Sequence, residues 1–136
     1  MLLRCLAMLA LAAGASCVAS AQDFPSFRRG MWELSRTIDD GSGKPQVLST
    51  KKCSDPTSDM RQQNAMLSKA GCTFSPTTRS GASYSFTAQC SMQGTSTQSK
   101  SVITPDGDSA YKVEVESRTG GKPSKELLVA KRVGDC

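Results

Sequence analysis

Histidine is missing from all 136 residues, and that absence removes much familiar chemistry. Without it there is no Ser-His-Asp or Cys-His pair, and the commonest general base is gone. Mixed Cys/His metal sites fall with it. Aromatic side chains are scarce as well: one Trp, two Tyr and four Phe. A domain of this size buries roughly 65% of its unfolded surface, and few bulky residues are on hand to fill the interior. Long apolar runs are confined to the first residues, where Leu6 to Ala13 falls short of the about 20 that a bilayer requires. A phosphate loop is unsupported too, because the sole G-x-G, Gly41-Ser42-Gly43, has no helix after it.

What is present begins with an export signal. Arg4 supplies its positive end, Leu6 to Ala13 its apolar core, and Ala19-Ser20-Ala21 the small residues that signal peptidase needs. Cleavage is predicted after Ala21, so that residues 1–21 are a signal peptide and 22–136 a single disulfide-stapled, β-rich domain. An alternative uses Cys17, which follows Gly14-Ala15-Ser16, as a lipid attachment point. Gly14 stands where that class of signal favours Leu, and lipidation would place the same domain on a membrane surface. The formal net charge of +5 drops by one when Arg4 leaves. That is too little for a nucleic-acid footprint, so no nucleic-acid partner is expected. Basic doublets at Arg28-Arg29, Lys51-Lys52 and Lys131-Arg132 read as solvated strand edges, with one anionic-ligand patch as the alternative.

Four cysteines remain after the signal: Cys53, Cys72, Cys90 and Cys136. An even count, wide spacing and an export signal together predict two disulfides. No pair forms a C-x-x-C, so neither a redox motif nor a zinc ribbon is suggested. A four-thiolate metal site sits badly in an oxidising compartment. No metal or cofactor is expected. Each bridge contributes about 3–4 kcal/mol on the chain-entropy account, which suits a chain poor in bulky side chains. Three connectivities are open; Cys53–Cys72 with Cys90–Cys136 is preferred. The first would close a short loop around the helical segment, and the second would fasten the last strand to a central one.

Along the chain the period-two pattern dominates. In GMWELSRTID (30–39), Trp32, Leu34 and Ile38 share one face. DDGSGKP (39–45) is a turn cluster, followed by a short strand near 46–52. SDPTSDMRQQNAMLSKAG (54–71) holds the one credible helix, near 58–70, capped by Thr57 or Ser58, with Gly71 closing it. Met60, Met66, Leu67 and Ala70 form a narrow stripe, suited to a helix lying on a sheet. Strands follow at 83–92, 95–104, 109–118 and 125–133. Tyr84, Phe86, Ala88, Cys90 and Met92 share one face, as do Tyr111, Val113 and Val115. PDGD (105–108) is a hairpin turn in which Gly107 can take positive φ. The expected fold is mostly β, or β-rich α+β. It is an antiparallel meander of six or seven strands, curled or half-barrel, with one inserted helix and two disulfides.

Several residues together carry a resemblance. Gly30-Met31-Trp32-Glu33, Cys53, Cys72 and Cys90, Gly107-Asp108-Ser109 and Arg132-Val133-Gly134-Asp135-Cys136 follow one another in order. This arrangement resembles the DUF3617 family, a domain of unknown function in exported proteins of Gram-negative bacteria. The family brings no activity and no catalytic residue. It implies an exported, periplasmic, disulfide-bonded domain, with structural roles for Trp32, the four cysteines, Gly134 and Asp135.

Enzyme readings are weak. Asp106 and Asp108 lie in a turn, and Glu114 and Glu116 on an outward strand face, where carboxylates usually meet solvent rather than flank a cleft. No catalytic residue is assigned. The expectation is a periplasmic, monomeric, non-catalytic binding or accessory protein of the cell envelope, touching membrane only if lipidated. Its partner would be an envelope component or a small apolar ligand held on Tyr84, Phe86, Tyr111 and Val113, in a pocket of about 300 Å³ or more. The alternative is an inhibitor-like partner of an envelope enzyme, although the positive charge argues against cationic lysozymes as its target.

Overall fold

The computed structural model describes residues 23–136. Cys17 and the cleavage position after Ala21 lie outside the described residues. Eight strands and one helix follow in chain order: β1 (Gly30–Asp39), β2 (Gln46–Ser54), α1 (Pro56–Lys69), β3 (Cys72–Phe74), β4 (Thr78–Ser80), β5 (Ser83–Met92), β6 (Thr95–Pro105), β7 (Ala110–Thr119) and β8 (Lys122–Gly134). All pairings are antiparallel, in the order β2-β1-β8-β7-β6-β5-β3, with β4 also on β5. The sheet is not closed: β2 is one edge, and β3 and β4 share the other.

The fold class is the expected one, a mostly β antiparallel sheet with one helix and two disulfides. Its strand count is eight rather than six or seven, because β3 and β4 are three residues each. Strands that short carry too few residues to display a period of two. Hairpin turns link β5 through β8 as a meander, and Gly107 in the β6–β7 turn has φ 66°, the left-handed region that a Gly enters without steric cost. β8 then pairs with β1, so the sheet is a meander only in part.

α1 starts two residues earlier than the pattern indicated. Asp55, not Thr57 or Ser58, is the cap, its carboxylate accepting from the Ser58 N–H at 3.2 Å. Pro56 fills the first helical position, where no N–H is needed. Thr57 is otherwise engaged. Its Oγ1 accepts from the Phe27 N–H and donates to the Pro25 carbonyl, both at 2.9 Å, tying the segment before β1 to the helix.

The disulfides join Cys53 to Cys136 and Cys72 to Cys90, which corrects the preferred pairing of Cys53–Cys72 with Cys90–Cys136. The register explains both bridges. Cys72 lies directly opposite Cys90 in the β3–β5 ladder. Met31 of β1 is paired with Cys53 on one side and Gly134 on the other, so the ends of β2 and β8 flank the same residue. Cys136 cannot reach Cys90, because β7 and β6 stand between β8 and β5.

One face of the sheet is the core. Trp32, fully buried, meets Phe24, Phe27, Tyr84, Ile103, Tyr111 and Ala130 there. Phe27 stacks on Tyr111 with ring centroids 4.5 Å apart, and Trp32 lies 5.4 Å from the same ring. The Trp32 indole N–H donates to the Arg28 carbonyl at 3.1 Å, as a buried indole requires. The segment 23–29 thus fills one end of the concave face, with Phe24 edge-on to Phe86.

Candidate functional site

Because partners across an antiparallel ladder share a face, the register writes out the concave side as rows. Thr50, Leu34, Ala130 and Tyr111 form one; Leu48, Arg36, Leu128, Val113, Ile103 and Tyr84 the next. Then come Ile38, Glu126, Val115, Ser101 and Phe86, and after them Ser124, Ser117, Ser99, Ala88 and Phe74. Beyond the end packed by Phe27 and Trp32, the face therefore runs from aliphatic side chains to serine hydroxyls, with one aromatic ring in each of these four rows.

α1 crosses this face obliquely. It leaves β2 beside Ser54, at the aromatic end, and delivers the chain to Cys72, at the hydroxyl end of the opposite edge. Among its residues Met60, Asn64 and Leu67 are only half-buried, so the helix spans the concavity without filling it. Between helix and sheet lies a cavity of about 350 Å³. Met60 and Leu67 form its roof, and Leu34, Phe86, Val113 and Leu128 part of its floor.

Of the four residues proposed as a ligand face, Phe86, Tyr111 and Val113 line this cavity. Tyr84 does not. It packs in the core beside Ile103, with the Arg79 guanidinium 4.4 Å above its ring. Tyr111 sits at the closed end. Burial, and secondarily the Asp59 carboxylate, push its phenol up to about 12. Among the described residues its hydroxyl has no hydrogen-bond partner.

Charged groups cluster at two places along the wall. Asp59 accepts from Ser54 Oγ at 2.5 Å near the start of α1, with Lys52 lining the same end. Two rows away, Arg36 Nε stands 2.8 Å from Glu126 Oε1, both side chains partly exposed. Neither Arg36 nor Glu126 featured among the sequence candidates, yet the signal was there. Each occupies an inward position of an alternating strand, the first between Leu34 and Ile38, the second two residues before Leu128.

Remaining candidates lie at the junction of β1 and β8 or face solvent. Arg132 donates through Nε to the Arg29 carbonyl at 2.8 Å and pairs through Nη2 with Asp135. Gly30 lies against both Arg132 and the Gly134 carbonyl. The three basic doublets do meet, at one end of β2, β1 and β8, but Glu33 is paired with Lys51 and Lys131 in the ladders and Arg132 is spent on Asp135. Glu114 lies 3.7 Å from Lys112 on the convex face, and Asp108 accepts from its neighbour Ser109. No group of three or more potential metal ligands occurs among the described residues, nor does any helix long and apolar enough to cross a membrane.

An open antiparallel sheet strapped by one helix, sealed at one end by aromatic rings and stapled by two disulfides, defines the class: a small stapled half-barrel. The chain belongs to the DUF3617 family, described as a protein of unknown function, whose profile matches residues 27–136. No curated protein and no solved structure matches it. The first and last of the quoted motifs share a location here. Gly30, Trp32, Arg132, Gly134, Asp135 and Cys136 all gather where β1 meets the end of β8.

Proposed function

We propose that this chain is a non-catalytic binding module of the bacterial cell envelope that holds a small apolar ligand between α1 and the concave sheet. It acts as a monomer in the periplasm, exported by a signal peptide cleaved after Ala21. Two disulfides suit an oxidising compartment. The cavity of about 350 Å³ carries the reading: it lies within the roughly 300–1,000 Å³ of small-molecule sites, and its lining is more apolar than polar, with four charged side chains among the polar ones. A larger groove of about 770 Å³ at the hydroxyl end, lined by Ser, Thr and charged residues together with Phe74, Ala88 and Pro123, is more open to solvent.

Titration with the neutral apolar fluorophore N-phenylnaphthylamine tests the proposal. Saturable one-to-one enhancement, reversed by dodecanol, is the expected outcome. A flat titration, or enhancement that never saturates, defeats it.

A further inference from the structure

We infer that the cavity selects an amphiphile with an anionic head, carboxylate or phosphate, and that Arg36 receives that head. This deepens the apolar-ligand reading and rests on it. The first observation is where the cavity opens. α1 runs from the aromatic end of β2 to the hydroxyl end of β3, leaving the opposite corner, the outer part of β1 and β2, uncovered. Leu48 shows this directly. It shares the concave face with Arg36, its cross-strand partner, yet is 54% exposed. One opening of the cavity lies there, where Arg36 and Glu126 belong to the lining with side chains 46% and 33% exposed.

The second observation is how the charged groups of the lining are occupied. Four are present: Arg36, Lys52, Asp59 and Glu126. Both carboxylates are engaged, Asp59 by Ser54 and Glu126 by Arg36. The cations are less so. A guanidinium has five N–H donors, and one carboxylate approached from the Nε side satisfies at most two of them. At least three remain on Arg36, in the planar fork that suits a carboxylate or phosphate. Glu126 then serves to fix the guanidinium plane across β1 and β8. Lys52 also lacks a carboxylate within 4.0 Å among the described residues, but its ammonium offers no planar fork, and it lies on the row of Trp32, two rows from Arg36.

The third is the floor itself. From that opening inward it passes Leu34, Leu128 and Val113 before reaching Tyr111. A straight chain with its head on Arg36 therefore lays its tail beneath Met60 and Leu67. Removing that tail from water supplies the affinity, and the half-exposed ion pair supplies the preference for charge.

Displacement of N-phenylnaphthylamine by dodecanoate, monododecyl phosphate, dodecanol and dodecyltrimethylammonium tests this, all below their micellar concentrations. The two anions should displace the probe at least tenfold more effectively than the alcohol, and the cation least. Their relative strength tells a carboxylate ligand from a phosphate one. Arg36→Gln should erase the preference for anions while leaving dodecanol unchanged, and Lys52→Gln should leave the preference in place. On the unaltered protein, added salt should narrow the gap between dodecanoate and dodecanol, which keeps the inference testable should the Arg36 variant misfold. Equal displacement by acid and alcohol overturns the head-group assignment but leaves the cavity reading standing. A preference that survives Arg36→Gln or disappears with Lys52→Gln overturns it as well. Failure of every compound, the alcohol included, overturns both readings.

Discussion

Gly30 has no room for a side chain because of Gly134: a Cβ added at Gly30 would stand 2.4 Å from the Gly134 carbonyl oxygen and 2.5 Å from Arg132 Nε. Its φ of +155° is also one that residues with a side chain rarely adopt. The β1–β8 register shifts between Met31 and Trp32, directly beside this contact. Two sequence motifs far apart in the chain are thus one packing unit, in which the bare backbone of the first makes space for the turn of the second.

Gly30→Ala should therefore cost about 2–3 kcal/mol, the range of strained backbone and forced overlap. Denaturant unfolding followed by Trp32 fluorescence measures it. Gly43→Ala is the control, since nothing lies within 4 Å of its added Cβ and its φ is not positive. It should be neutral or slightly stabilising.

The two bridges should differ in value. Cys53–Cys136 spans 83 residues and Cys72–Cys90 only 18. On the chain-entropy account these separations correspond to about 4.5 and about 3 kcal/mol. Replacing Cys136 by Ser together with Cys53 by Ser should lower the denaturant midpoint more than replacing Cys72 and Cys90 together. Non-reducing peptide mapping supplies the direct check, with Cys53 and Cys136 recovered in one linked pair.

How far the sequence discloses this fold depends on the length of each signal. Trp32, Leu34, Phe86, Val113 and Val115 sit on ten-residue strands, long enough for alternation to reveal which way each side chain faces. Cys72–Phe74 and Thr78–Ser80 are too short for that, and the strand count suffers accordingly. The disulfide pairing depends on which strands are neighbours, a non-local fact. β8 inserts beside β1 instead of ending at the sheet's edge, and no local pattern in 122–134 announces it. The cavity was half legible. Its apolar floor follows from alternation, but Tyr84 belongs to the same periodic set as Phe86 and lies in the core, because Ile103 and Arg79 cover it. Arg36 and Glu126 could have been found by asking which charged residues fall at inward positions.

Alkaline stability reports on Tyr111. Its phenol ionises at about 12 in the fold against 10.0 ordinarily, so across that window the unfolded chain has lost a proton that the folded chain keeps. Stability is whole below pH 10, falls by about 1.4 kcal/mol per pH unit above it, and levels off once the folded phenol also ionises. Tyr111→Phe should remove this share of the decline. Denaturant midpoints between pH 9 and 12 for the two proteins should diverge; parallel curves would show that the phenol is not sheltered.

Filling the cavity separates a vacant site from a closely packed core. Val113 lines it at mid-floor, between Ile103 and Leu128. In a packed interior Val113→Phe would force neighbours apart at a cost of about 1–3 kcal/mol. In a vacant one the ring gains contacts it would otherwise make with water, so stability should hold or rise slightly. Probe binding should fall at least tenfold in the same protein. Val102→Phe adds the same ring to the convex face, where Val102 pairs with Glu114, and should leave binding unchanged. Equal loss from both variants would mean that the fluorophore adheres to exposed apolar surface such as Val47 and Val129, and that the space beneath α1 is not where ligands go.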